Sequence, residues 1–319
     1  MPETIPVTAD NFRRAETDLY FSNFVKDGGL GKLVHRREPT AIDDQDVIRM
    51  NRDTLYSSGV FDLDAGPVTI TMPDPGRRFM SLQVFDEDEY SPFVAYGAGS
   101  HSLTREKIGT RYAAAAVRTL VDPNDPSDLA EVRKLQDAIR IEQKGGPGRF
   151  DAPAWDKASQ DKVRDALLAL GSTLPDLKGA FGPRGKVDPL HHLIGCAAGW
   201  GGNPETEADY INVTPAKNDG KTAYRLSVKD VPVDGFWSVI VYDAKGYIPK
   251  NDRNVYSFNN LTAKKDADGS VTVQFGGDPA KAPNCIPIVP GWNYLVRLYR
   301  PRKEILEGKW KFPEATPVQ

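Results

Sequence analysis

The sequence predicts a mainly β protein with helices, in which two antiparallel sandwich- or jelly-roll-like units are joined by a helical segment. Three observations predict this. Short segments with period-two alternation, such as PVTITM at 67–72, lie between Pro- and Gly-containing turn signals on both sides of the chain. Helical spacing is confined to the start and the middle. One strand-like pattern occurs twice. The boundaries that follow are a helical N-terminal segment over 1–40, a first β unit over 41–126, a helical linker over 127–200 and a second β unit over 201–319.

Phe12, Ala15, Leu19 and Val25 recur at helical spacing after Thr8, a candidate N-cap, and Asp27-Gly28-Gly29 stops that helix. NRDTLYSSGVFDLDAG then opens a strand region. PVTITM alternates as a half-buried strand, MPDPG turns, and RFMSLQVFD from Arg78 supplies a second strand. From Asp122 the texture changes. Ser127 precedes an apolar stripe of Leu129, Val132, Leu135 and Ile139, the pattern of a capped amphipathic helix. Helices follow at about 155–170 and at 188–199, where Asp188-Pro189 makes a cap-plus-N1 start. After Tyr210 strands and turns return, with DADG at 266–269 as a hairpin signal.

The repeated pattern ranks above the others. Phe79-Met80-Ser81-Leu82-Gln83-Val84-Phe85-Asp86 returns as Phe236-Trp237-Ser238-Val239-Ile240-Val241-Tyr242-Asp243, 157 residues further on (79 to 236). Each copy follows a turn and an alternating strand. Each precedes a later strand carrying Val-Arg, at Val117-Arg118 and Val296-Arg297, then Pro and a helix. Matched order across the flanks predicts duplication. Apolar groups on both faces of the repeated strand predict a central strand covered on both sides. The closing Asp86 and Asp243 then sit at strand ends, where a carboxylate can cap the next turn.

Composition narrows the function classes. The 319 residues carry 41 basic and 44 acidic side chains, a formal charge of −3. That balance argues against a general nucleic-acid binder, which needs a dominant basic face. No apolar run approaches the ~20 residues that span a bilayer. The first residues lack a basic region followed by an apolar one, so the default compartment is cytoplasmic, or periplasmic if a signal was removed. Cys196 and Cys285 are the two cysteines, too far apart in sequence for a disulfide framework or a C-x-x-C site, and read as small buried hydrophobes. No G-x-S-x-G elbow, P-loop or H-E-x-x-H motif occurs.

N-R-D-T-L-Y-S-S at 51–58 with P-V-T-I-T-M-P-D at 67–74 resembles the N-terminal domain of unknown function 1254. V-D-G-F-W-S-V-I-V-Y-D at 233–243, N-x-Y-S-F-N-N at 254–260 and V-R-L-Y-R-P at 296–301 resemble its usual partner, domain of unknown function 1214. The resemblance to this bacterial family of paired domains covers about 40–130 and 195–318. It implies β-sandwich-like domains with a helical portion and assembly into oligomers. Some relatives carry hydrolase or carboxylesterase labels without a matching motif, and some carry signal peptides. This chain resembles a short version of members with longer helical insertions.

Candidate chemistry collects in few places. Asn51, Arg52, Asp53, Thr54 and Tyr56 crowd polar groups beside a strand. Alternation puts Arg52, Thr54 and Tyr56 on one face and Asp53 on the other, holding a neighbouring cation. Such a set suits a carboxylate or sugar, or merely ties a turn together. His191 and His192 diverge by about 100° on a helix, so one faces inward near Cys196 and Trp200 while the other is solvated. Asp86-Glu87-Asp88-Glu89 reads as a solvated acidic loop, with a hard-cation site as the functional alternative. Trp200, Tyr210, Trp237, Tyr242, Tyr247, Tyr256 and Trp292 are core aromatics or the lining of a β cup. Arg297, Arg300, Arg302 and Lys303 form a basic cluster suited to a rim or an oligomer contact.

The expectation is a small-molecule (sugar- or carboxylate-like) binding or assembly protein, with a pocket at the junction of the two units. Its ligand-binding residues are Asn51, Arg52, Thr54, Tyr56, Asp86, Trp200, Tyr242 and Arg297. The alternative is a hydrolase or lyase using Asp53 or Asp86 with His191 or His192, the catalytic set being Asp53, His191 and His192. A self-assembling scaffold is the third reading. No cofactor and no metal are expected, and the partners are a small molecule and further copies of the chain.

Overall fold

The computed structural model describes residues 4–45 and 49–318. The sequence reading of the first residues falls partly outside them. The chain divides into two compact units, Met1–Arg37 with Tyr56–Leu120 and Ala130–Glu205, and Glu38–Leu55 with Val121–Leu129 and Thr206–Gln319. Among the described residues no helix is long and apolar enough to cross a membrane.

The first unit begins with helix α1 (Phe12–Lys26) and the two-residue strand β1 (Val34–His35). Strands β2 (Thr54–Asp62), β3 (Val68–Met72), β4 (Met80–Asp86), β5 (Phe93–Tyr96) and β6 (Gly99–Leu103) follow. Then come α2 (Arg105–Ile108), β7 (Tyr112–Leu120), α3 (Pro126–Ala138), β8 (Arg140–Gln143), α4 (Lys157–Gly171) and α5 (Pro189–Gly199). One sheet has the order β1-β2-β7-β4-β5 and the other β6-β3-β8. Alternate residues of both, including Val68, Ile70, Leu82, Val84, Ala115 and Val117, form one core, so the sheets pack as an open sandwich. The opposite face of the larger sheet is covered by Phe21, Phe24 and Val25 of α1 together with Trp200.

The second unit holds β9 (Ala208–Val213), β10 (Tyr224–Val228), β11 (Trp237–Tyr242), β12 (Ser257–Asn259), β13 (Val271–Phe275), β14 (Cys285–Ile286), β15 (Asn293–Tyr299), α6 (Lys303–Leu306) and β16 (Thr316–Pro317). Its sheets run β12-β11-β15-β9 and β14-β13-β10-β16, with β13 and β14 the parallel pair. Leu226 and Val273 of the smaller sheet meet Val239 and Val296 of the larger one, with Trp292, in the shared core. The outer face of the larger sheet carries Ile240, Tyr242 and Leu295, against which Ile42, Met50, Ile248 and Tyr256 pack.

The repeat read in the sequence occupies matching places in the two units. Ser81 pairs with Arg118 as Ser238 pairs with Arg297, and both pairings are antiparallel. Val68 pairs with Leu103 and Met72 with Gly99, just as Tyr224 pairs with Phe275 and Val228 with Val271. Every residue of β4 and β11 is buried, as two covered faces require. The closing aspartates build the same turn. Asp86 Oδ1 accepts the N–H groups of Asp88 and Tyr90 at 2.8 and 3.0 Å, and Asp243 Oδ1 those of Lys245 and Tyr247 at the same distances.

Several local expectations are corrected. Asn11, not Thr8, occupies the N-cap of α1, and its Oδ1 accepts the Thr8 N–H. Leu19 is 41 % exposed, because the buried face of α1 runs instead through Phe12, Ala15, Glu16, Thr17, Asp18 and Phe21. Asp125, not Ser127, caps α3 by accepting the Ser127 N–H at 2.8 Å. The DADG turn does close, with the Asp266 N–H donating to Ser270 O. It is no hairpin, however, since β12 and β13 pair into different sheets.

Candidate functional site

The polar groups of the second unit converge on the outer face of its larger sheet. Asn51 Oδ1 accepts the Asp53 N–H at 2.8 Å, a local side-chain-to-backbone turn, while its amide donates to Thr54 Oγ1 and Tyr299 Oη. That turn buries Asp53 completely. Asp53 Oδ1 accepts from Asn259 Nδ2 at 2.9 Å and Ser257 Oγ at 3.5 Å, and Oδ2 has no partner. Contrary to expectation no cation among the described residues bonds it directly, its hydrogen bonds coming from an amide and a hydroxyl. Desolvation raises the Asp53 pKa, opposed by the Asn259 hydrogen bond and by the Arg297 charge.

Arg297 projects from the outer face of β15, 3 % exposed. One Nη donates to Tyr242 Oη at 2.9 Å and to Arg49 O at 2.8 Å, and the other is buried without a partner. Tyr242 in turn donates to Met50 O at 2.8 Å. The Arg49 guanidinium lies over the Tyr242 ring and bonds Asn293 Oδ1. The result is a buried carboxylate and a buried guanidinium that act on each other through their charges, each with one atom lacking a hydrogen-bond partner.

This network borders a cleft of about 220 Å³ whose wall includes Arg52, Asp122, Asn124, Asn254, Tyr256 and Ser257. Ser257 connects the two, since it lines the cleft and its hydroxyl reaches Asp53 behind the wall. Arg52 lies over the Tyr256 ring, 5.3 Å from its centroid, and donates to Thr40 O. Among the described residues no carboxylate pairs with it. Burial lowers its pKa, which for a guanidinium still leaves the charge in place.

His191, His192, Tyr56, Asp86 and Trp200 belong to the first unit. His191 Nδ1 contacts Lys178 O at 2.7 Å near the exposed start of α5. His192 is fully buried, its ring stacked on Tyr90 and its two nitrogens 2.8 Å from Ala180 O and 3.0 Å from Asp88 O. Both nitrogens therefore face backbone carbonyls, and a neutral imidazole donates to one of them. Burial lowers its pKa. Tyr56 lies under the Arg118 guanidinium. Trp200 stacks on Tyr20 at 4.3 Å and packs against Phe21, Phe24 and Phe85, a core role.

The acidic run is not a solvated loop. Asp86, Glu87 and Glu89 are buried, Arg184 bonds Asp86 and Asp88 at 2.7 and 2.8 Å, and Arg14 bonds Asp88 at 2.9 Å. These arginines supply the charge that a cation would, and among the described residues no cluster of His, Cys, Asp or Glu is arranged to hold a metal. Both cysteines are free and buried, with burial pushing the Cys196 thiol well up. Trp237 and Trp292 are core residues, whereas Tyr210 and Tyr247 are more than one-third exposed.

Sequence reasoning missed Arg49, Ser257 and Asn259 as members of the site, and Asp122, Asn124 and Asn254 as its cleft wall. A signal for half of them was present. Asn254, Tyr256, Ser257 and Asn259 all fall in the N-x-Y-S-F-N-N segment that carries the family resemblance.

The family models agree with that resemblance. Residues 30–107 match the protein of unknown function DUF1254, and residues 210–303 match the protein of unknown function DUF1214. The chain belongs to the family that pairs these two domains. Within it, the NRDT segment comes from the DUF1254 match and Arg297 from the DUF1214 match, yet both build the second unit's network. No curated protein matches the sequence. Among solved structures, the VPA0106 protein from Vibrio parahaemolyticus is similar at a TM-score of 0.74 and 18% identity, covering 96% of each chain. A putative uncharacterized protein from Burkholderia cenocepacia is similar at a TM-score of 0.55 and 15% identity, covering 97% of this chain and 87% of that one. At these identities the likeness establishes the fold.

Proposed function

We propose that this protein binds a small carboxylate-bearing molecule in the cleft of its second unit, with Arg52 as the anchoring cation. The observation that carries this reading is Arg52 itself. It stands on the cleft wall, braced by the Tyr256 ring and by one backbone carbonyl, with no acidic partner among the described residues. A guanidinium so placed offers its remaining N–H donors to a planar anion. Asn124, Asn254 and Ser257 add neutral donors and acceptors suited to hydroxyls, so a sugar acid fits the same wall. Asp53, buried behind Ser257, accepts that residue's hydroxyl and helps fix the wall.

Isothermal titration with acetate, succinate, galacturonate and neutral glucose tests the reading. Carboxylates bind, glucose binds more weakly, and Arg52→Met lowers carboxylate affinity at least tenfold while leaving the unfolding midpoint nearly unchanged. Equal affinity in the Arg52→Met protein, or no carboxylate bound at millimolar concentration, overturns it. Recovery of the ligand chemically intact separates binding from turnover.

A further inference from the structure

A second, larger cleft lies in the first unit, and the network above makes no use of it. It has a volume of about 340 Å³, and its wall includes Glu16, Asp18, Tyr20, Trp155, Gln160 and Arg164. The carboxylates on this wall are treated differently. Glu16 is neutralised, accepting from Arg164 Nε at 3.0 Å and Nη2 at 2.5 Å and from Gln160 at 2.8 Å. Asp161, also on the wall, bonds Lys157 and Arg164. Asp18 is 2 % exposed and has one hydrogen bond among the described residues, from Trp155 Nε1 to its Oδ2 at 2.8 Å. No basic side chain among them pairs with it. Arg14, whose charge acts on it, is engaged by Asp88 at 2.9 Å and Glu87 at 3.7 Å.

A buried carboxylate without a counter-ion is costly unless something supplies the charge. We propose that this cleft binds an organic ammonium with an apolar body, with Asp18 as its counter-ion and the Trp155 and Tyr20 rings as its walls. Aromatic rings beside a carboxylate suit such a cation, since the ring faces add their own attraction and the apolar body is sheltered from water. The remaining cation of the wall, Lys26, is exposed at the last turn of α1. The buried charge that a ligand meets is therefore negative.

Phenethylamine, butylamine and tetramethylammonium serve as probes, with 2-phenylethanol and phenylacetate as neutral and anionic controls. Trp155, bonded to Asp18, makes indole fluorescence a direct readout alongside calorimetry. At least one amine binds, phenethylamine at least tenfold more tightly than either control, and Asp18→Asn removes that preference without lowering the melting temperature. Burial, with Glu87 and Asp88 nearby, pushes the Asp18 pKa up to about 6, so amine affinity falls as pH drops below that value and the carboxylate takes a proton. This arm uses the unaltered protein and stands even if Asp18→Asn fails to fold. Binding of the controls as tightly as phenethylamine, unchanged affinity in Asp18→Asn, pH-independent affinity between 5 and 8, or no amine bound at all overturns the proposal. Arg52→Met leaves amine binding unchanged, which keeps this site distinct from the second unit's cleft.

Discussion

The two units share one sandwich and dress its outer face in opposite ways. In the first, helix α1 lays Phe21, Phe24 and Val25 over the larger sheet, and the buried Arg118 of β7 donates to Gln83 Oε1 at 2.6 Å and Gly201 O at 3.0 Å. In the second, Ile42 and Met50 pack on the same face. There Arg297, at the position matching Arg118, shares its surroundings with the buried carboxylate of Asp53. Gln83 corresponds to Ile240, so the first unit carries its own neutral acceptor and the second replaces it with groups from outside the strand. The helix closes the first face with apolar side chains, whereas the second face is met by the Arg49 and Met50 carbonyls.

The largest effect should come from removing the arginine of each unit. Arg297→Met leaves Asp53 buried with its main compensating charge gone, a loss of about 3–5 kcal/mol. Arg118→Met removes the hydrogen bonds to Gln83 and Gly201 and costs about 1–2 kcal/mol. Urea unfolding followed by tryptophan fluorescence measures both, and equal losses would erase the distinction between the two faces.

The repeated turns, Asp86 to Tyr90 and Asp243 to Tyr247, differ at their three central positions, and the last of these sets the backbone. Gly246, with φ 89°, stands where the first unit has Glu89, with φ 66°. A glutamate in the left-handed region is strained where glycine is not. Glu89 is also buried, with Oε1 accepting the Gly201 N–H at 2.8 Å and Oε2 unpartnered. Desolvation pushes its pKa up to about 8. The folded chain therefore keeps a proton that the unfolded chain releases, and stability from this group falls as pH rises from about 4.5 toward 8. Glu89→Gln abolishes that fall. At pH 8.5 it should exceed the parent in stability by about 2–4 kcal/mol, and at pH 5 match it to within ~1 kcal/mol. Stability curves that stay parallel across this range would remove the ionisable role of Glu89.

The smallest contrast concerns the aspartates that close the turns. Asp86→Ala loses two backbone donors and the half-buried link to Arg184 at 2.7 Å, costing about 2–3 kcal/mol. Asp243→Ala loses the same two backbone bonds at a more exposed position, costing ~1 kcal/mol. Thermal unfolding of the pair resolves the difference, and a larger loss for Asp243→Ala would reverse the reading.

Much of the architecture was legible because it rests on local periodicity. The eight-residue repeat, the alternation of 67–72 and the Asp188-Pro189 helix start each encode their element within a short window. Asn51, Arg52, Asp53 and Thr54 also stood out as one dense polar group. Their partners did not, because Asn259 and Arg297 lie more than 200 residues away and nothing local reveals that Asp53 faces an amide rather than a cation. Asp18 was invisible for a related reason. Its place within the helical pattern of α1 suggests a solvated face, and only the packing of Trp155 against that helix buries it.

The order of side chains along the chain determined which segments alternate, where turns cap and which pattern occurs twice, since these depend on neighbours within a few bonds. Tertiary structure alone decided which charges lose water and which find a counter-ion. Desolvation and long-range pairing depend on what folds over a residue, and the chain brings that cover from distant segments.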